Sequence, residues 1–163
     1  MTTPPPPTPS ISVAHPDRAA LRIVLFGMPD AGKSSLLGAL AQVTQTQDRV
    51  LRGRLLDLTH GLSELWRRVY EHRPRETLDE IVPYPVYFER YIPGPTGEQR
   101  VPLMLYDCDG RVANELLSQR RALQRDPKSG PLAQAVLDAD ALILVVDASA
   151  NDLQIAQDFS EFA

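Results

Sequence analysis

Apolar and polar residues follow two rhythms along this chain, and the rhythm changes at glycines and prolines. Leu21–Phe26 (LRIVLF) is a short, nearly all-apolar run that stops at Gly27. That is the pattern of a strand buried on both faces of a parallel sheet. After Lys33 the apolar positions move to Leu36, Leu37, Leu40 and Val43, the three-to-four spacing of one helix face. Leu62, Leu65, Trp66, Val69 and Tyr70 predict a second amphipathic helix, which Pro74 ends by withholding an N–H and crowding the preceding turn. Residues 86–92 and 101–106 read as two strands joined through PGPTG, a turn-rich connector. Pro83 and Pro85 place the first of these at a sheet edge, where a missing N–H breaks no ladder.

Further on, residues 112–124 form a polar helical stretch with many arginines. Pro131 opens a short helix carrying Leu132, Val136 and Leu137, as proline suits a first helical turn. Residues 141–146 (ALILVV) are the strongest strand in the chain, and 152–162 place Leu153, Ala156, Phe159 and Phe162 on one helical face. Strands alternating with helices predict an α/β fold around a mostly parallel sheet. A strand as apolar as ALILVV belongs inside a sheet, since natural edges are short, charged or bulged. No residue after 146 reads as a further strand. Either a partner completes the sheet or the chain is the front part of a larger domain; the second is the expectation.

Composition narrows the class. The first ten residues, MTTPPPPTPS, hold five of the 15 prolines, so residues 1–18 are expected to be a disordered, partly polyproline-II tail. The folded part spans 19–163. With 163 residues, 43% hydrophobic and 23% charged, one soluble domain is expected. A net charge of −4 points to no nucleic-acid or acidic-membrane partner. The single cysteine, Cys108, leaves no internal disulfide and fits a reducing cytoplasm. No apolar run approaches the ~20 residues of a membrane span, and no charged-then-apolar leader opens the chain. The expected location is the cytoplasm.

The candidate chemistry lies at residues 27–36, GMPDAGKSSL. Gly27 to Ser34 satisfies G-x-x-x-x-G-K-[ST], with a strand before it and a helix after it. In such a loop consecutive backbone N–H groups curl around phosphates, and the positive end of the helix adds to the attraction. Gly27 and Gly32 permit backbone angles and close approaches that a Cβ obstructs. Lys33 is the candidate for neutralising phosphate charge, and Ser34 offers a hydroxyl to Mg²⁺. Asp30, Ala31 and Ser35 complete the candidate nucleotide-binding set. Asp30 is the oddity, a carboxylate in an anion site. Because backbone amides hold the phosphate, its side chain is expected to point to water.

GMPDAGKSSL, then LMLYDCDG, then DADALILVVDAS together resemble the first half of a Ras-like or translation-factor-type P-loop GTPase, over roughly residues 21 to 150. The resemblance implies a three-layer P-loop NTPase fold, incomplete on its C-terminal side. It also implies Mg²⁺-dependent binding of GTP and hydrolysis to GDP, with the bound nucleotide switching what an effector or activating protein sees. Asp107 would hold the metal through a water, and the Gly110 N–H would meet the γ-phosphate. Asp147, closing ALILVVD, is the rival acid under an ATP-binding reading. The metal-side threonine is assigned to Thr77, with Thr59 as the alternative. In relatives with Asn at the position of Asp30, that side chain helps bind a monovalent cation, a second role open to this aspartate.

Two departures matter. Arg111 stands where such enzymes carry a water-orienting glutamine. Hydrolysis would then be slow or partner-dependent, or would use an arginine in cis. Arg111, Arg73 and Arg75 are the candidates, and solvated surface charge is the competing reading of all three. The guanine-selecting N-K-x-D motif is missing from the chain, so the base preference comes from resemblance. His15, His60 and His72 match no metal-ligand spacing. Two other readings stay open: an interaction module derived from a degenerate G domain, and an ATP-binding P-loop protein.

Overall fold

The computed structural model describes residues 20–71, 80–91, 98–118, 130–149 and 151–162. The elements run β1 (Leu21–Phe26), α1 (Lys33–Thr46), α2 (Asp48–Leu51), β2 (Gly53–Asp57), α3 (Gly61–Glu71), β3 (Ile81–Tyr91), β4 (Glu98–Cys108), α4 (Gly110–Ser118), α5 (Gly130–Leu137), β5 (Ala141–Leu144) and α6 (Asp152–Phe162). The five strands form one mixed sheet in the order β2-β3-β4-β1-β5. β1 pairs in parallel with β4 on one side and β5 on the other. β3 runs antiparallel to both β2 and β4, so only β3 opposes the common direction. The architecture is α/β, as the alternating pattern predicts.

β1 is apolar throughout because it is covered from both sides. Leu25 packs with Leu37, Ala41, Leu62, Leu65, Tyr84, Val86 and Leu105, which puts α1 and α3 on that face. Val24 and Phe26 point the other way, into a cluster with Cys108, Ala113 and Leu132, from α4 and α5. Each of the Leu, Val and Phe side chains among them contributes roughly 1.5–3 kcal/mol when fully buried, so the two clusters hold β1 between helix layers. α3 lies close on α1, where a Cβ on Gly38 would touch the Trp66 backbone at 3.5 Å.

Two expectations need correcting. β2 was not foreseen, and it pairs outside β3 from Gly53↔Arg90 to Asp57↔Val86. β3 is therefore interior rather than an edge, and it begins at Ile81 rather than 86. The prolines are tolerated for a local version of the edge argument. The Pro85 carbonyl accepts from the Leu58 N–H at 3.2 Å, so the backbone polar groups of Pro85, and of Pro83 two residues earlier, face away from β4. Regular pairing with β2 has ended there, and no ladder N–H is missed. β5, for which the sequence offers no flanking strand on its far side, is the outer strand among the described residues. Leu142 is 52% and Ile143 42% exposed. On α6, Leu153 is exposed as well, so that end of the predicted apolar stripe is not buried; the side chains of Phe159 and Phe162 lie outside the described residues. So does the predicted tail, residues 1–18.

One polar cluster holds the far side of the sheet. Arg54, Glu89 and Arg100 sit opposite one another on β2, β3 and β4. Glu89 is fully shielded and accepts from Arg54 Nε at 2.6 Å and Arg100 Nε at 2.7 Å.

Candidate functional site

The site forms where β1, β4 and β5 all end on the same side of the sheet. Gly27 follows β1, Asp107 lies near the end of β4, and Val145 follows β5. The Val145 N–H still donates to the Phe26 carbonyl at 2.8 Å. A strand flanked by parallel neighbours reached through opposite crossovers leaves a crevice at its carboxyl end, and the glycine loop occupies that position.

The loop is held by its own backbone and by Lys33. The Ala31 N–H donates to the Met28 carbonyl at 3.4 Å, Asp30 takes φ +59°, and Gly32 takes φ +88° as it enters α1. Aspartate is among the few residues that adopt the left-handed region at modest cost. Its side chain is exposed, in keeping with the expectation that it points to water. Lys33 is buried, and its Nζ donates to the carbonyls of Gly27 at 3.0 Å and Met28 at 2.8 Å. An ammonium has three protons, and these carbonyls take two. α1 begins without a side-chain cap and without an acidic residue in its first turn. Its first N–H groups thus lack a side-chain cap, and its positive end favours negative charge.

Ser34 and Asp107 meet beside this loop although 73 positions separate them. The Ser34 hydroxyl donates to Asp107 Oδ2 at 2.5 Å. Asp107 is 1% exposed, and its Oδ1 has no hydrogen-bond partner. Burial pushes this carboxyl above the usual aspartate value, against the pull of the Ser34 bond and the Lys33 charge. A buried carboxylate oxygen left unpaired is costly, and this one can take a cation, a proton or a water.

The next residues press onto the loop. A Cβ on Gly110 would overlap the Pro29 backbone and the Met28 carbonyl carbon, so D-x-x-G and the glycine loop are in backbone contact. Asp109, 9% exposed, accepts from the Arg111 N–H at 2.9 Å, from Arg111 Nε at 3.2 Å and from Arg111 Nη2 at 2.8 Å. Hydrogen bonding to Arg111 holds this carboxyl below the usual value, and the Lys33 charge adds to the effect. Glu80 then ties three parts together. Its carbonyl accepts from the Asp109 N–H at 3.1 Å, and its carboxylate accepts from the Leu132 N–H in the first turn of α5 at 2.9 Å.

Of the predicted site residues, Gly27, Asp30, Ala31, Gly32, Lys33, Ser34, Asp107, Gly110 and Arg111 are thus brought to one end of the sheet. Ser35 lies on the exposed side of the first turn of α1. Thr77, Arg73, Arg75, His15 and His72 lie outside the described residues. Thr59 is exposed, and its hydroxyl accepts from the Gly61 N–H at 3.4 Å, at the start of α3. Asp147 accepts from the Ser149 N–H at 2.9 Å and hydroxyl at 2.7 Å, bonds within its own turn. Cys108 is buried and donates to the Leu25 carbonyl at 3.2 Å; burial pushes its thiol up to about 11, which keeps it unreactive. Sequence reasoning missed Glu80 and Asp109. The doubled aspartate in DCDG was the only available signal for Asp109, and none existed for Glu80. Comparison of the chain with protein-family models, curated proteins and solved structures returned no match.

Proposed function

We propose that this chain binds a nucleoside triphosphate, GTP by its resemblance, together with Mg²⁺, and hydrolyses it to the diphosphate as a switch. The observation that carries the reading is the convergence of Lys33, the uncapped start of α1 and the Ser34–Asp107 pair on one loop. The helix end and the ammonium both favour an anion, while the pair beside them offers two oxygens to a cation. A three-layer P-loop NTPase fold is the form that fits the parallel β4-β1-β5 core with helices on both faces.

The residues fit Mg²⁺ in a particular way. Among the described residues no group of three His, Cys, Asp or Glu side chains gathers to hold a metal. Mg²⁺ at phosphate sites keeps waters and takes only one or two protein ligands, with phosphate oxygens completing its shell. The Ser34 hydroxyl and, through water, Asp107 with its unpaired Oδ1 supply that number. The ion would neutralise phosphate charge. Lys33 and the loop amides would do the same from the protein side, stabilising charge as it develops on the terminal phosphate. Asp107 is favoured over Asp147 as the metal-side acid because Ser34 bonds it directly. A switch would follow from Glu80, which follows the stretch bearing Thr77 in sequence and bonds both Asp109 and α5. An effector or activating protein reading these elements is the partner class implied.

The test is equilibrium binding of GTP, GDP and ATP with and without Mg²⁺. GTP should bind, with Mg²⁺ strengthening it. Lys33→Ala should weaken binding about tenfold to a hundredfold, the worth of a charge-assisted hydrogen bond. Folded protein that binds none of the three refutes the reading, and equal affinity for ATP removes the guanine preference.

A further inference from the structure

We propose that Asp109 is a latch on Arg111, holding its guanidinium in reserve until a terminal phosphate competes for it. The inference rests on the nucleotide reading above and assigns Asp109 a positioning role that the D-x-x-G pattern does not contain.

The carboxylate is the fixed half of the pair. Backbone bonds anchor Asp109 on both sides: its N–H donates to the Glu80 carbonyl at 3.1 Å, and its carbonyl accepts from the Ala113 N–H at 3.0 Å. Its side chain is 11% exposed, whereas that of Arg111 is 58% exposed. A long side chain in solvent changes rotamer at little cost, while a carboxylate wedged at a helix start does not. If the pair opens, Arg111 is therefore the part that moves.

The phosphate site is one residue away. Gly110, between the two partners, lies against the Met28–Pro29 backbone of the loop, and the Lys33 charge already acts on Asp109. The latch requires a terminal phosphate held by Lys33 and the loop to act as a second anion for Arg111. Guanidinium binds carboxylate and phosphate through the same planar fork, so the two compete directly. With only a diphosphate present the competitor is missing, and Arg111 stays on Asp109. The pair thus makes an arginine available in proportion to occupancy of the terminal phosphate position.

A double-mutant cycle tests this, using GTP and GDP affinities with Mg²⁺ and single-turnover GTP hydrolysis. Asp109→Asn keeps an oxygen to accept the Arg111 N–H, so the helix start is preserved, but it weakens the hold on the guanidinium. Since a half-exposed ion pair contributes little, the expected gain is about twofold to fivefold in GTP affinity and hydrolysis rate, with GDP affinity unmoved. Introducing Asp109→Asn into an Arg111→Ala background should give no gain. A gain that persists without Arg111 identifies simple charge repulsion and overturns the latch. So does an equal gain for GDP, or no gain at all. If Asp109→Asn does not fold, Asp109→Ser takes its place in the cycle, since its hydroxyl still accepts the Arg111 N–H at the start of α4. The same outcomes then support or overturn the latch. Wild-type protein that binds no nucleotide refutes the nucleotide reading itself, a result distinct from wild-type binding with an inert Asp109→Asn.

Discussion

Gly27 and Gly110 are glycines because the chain itself comes too close for anything larger. A Cβ on Gly27 would collide with the Val145 carbonyl oxygen, and one on Gly110 with the Pro29 backbone. The motif explains these positions by approach to a ligand, whereas the tertiary contacts explain them by approach of one loop to another. Gly32 is different: nothing lies within 4 Å of its Cβ position, and its need is φ +88°. Gly110→Ala should therefore destabilise the protein even without nucleotide, by about 1–3 kcal/mol as overpacking does. Urea unfolding with no ligand present measures this, and an unshifted midpoint would show that the loop yields freely. At this scale the sequence made the glycine-loop residues legible, since their types and spacing are local. It did not reveal that Asp107 Oδ1 is an unpaired buried atom, because burial depends on everything packed around it.

Among the elements, β1, α1, α3, α5 and β5 were legible because each carries its own period or apolar run. β2 was not. Its five residues are too few to display alternation, and its partner strand lies about thirty residues further on, beyond any local signal. The Arg54–Glu89–Arg100 triad was invisible for the same reason, since only strand register sets the three residues opposite one another. The two arginines hold the Glu89 carboxyl below its ordinary value of 4.5, Arg100 contributing most. A carboxyl whose folded value is depressed adds stability that is present above the unfolded value and lost as pH falls through the folded one. Unfolding midpoints should accordingly drop as pH is lowered through and below 4.5. Glu89→Gln should cost about 1 kcal/mol near neutrality and flatten that acid-side fall. A variant with the same acid slope as wild type would show that Glu89 does not carry it.

Over the whole molecule, the decisive feature is that β1 sits between β4 and β5 with all three ending together. That arrangement gathers the glycine loop, Asp107 and Asp109 at one end, and it also leaves β5 as an open edge. Exposed apolar patches invite contact with another chain, and Leu142 and Ile143 are both exposed on the four-residue β5. Sedimentation at rising concentration should show reversible self-association, which Leu142→Lys reduces. Association unaffected by that charge would place the contact elsewhere.

By itself the sequence determined the pieces: a strand, a glycine loop with Lys33 and Ser34, the helix behind it, and the alternation that makes an α/β sheet. Those follow from spacing and residue type among neighbours, which local backbone geometry reads directly. Tertiary structure alone decided the partners: Ser34 with Asp107, Gly110 with Met28 and Pro29, Glu80 with Asp109 and Leu132, and Asp109 with the field of Lys33. Apart from its bonds to Arg111 and Ala113 at the start of α4, the contacts of Asp109 join segments that meet only when strand order and register are set. The physical reason is that such pairings are selected by burial of both faces of the sheet at once, a property of the assembled core and of no single stretch of chain.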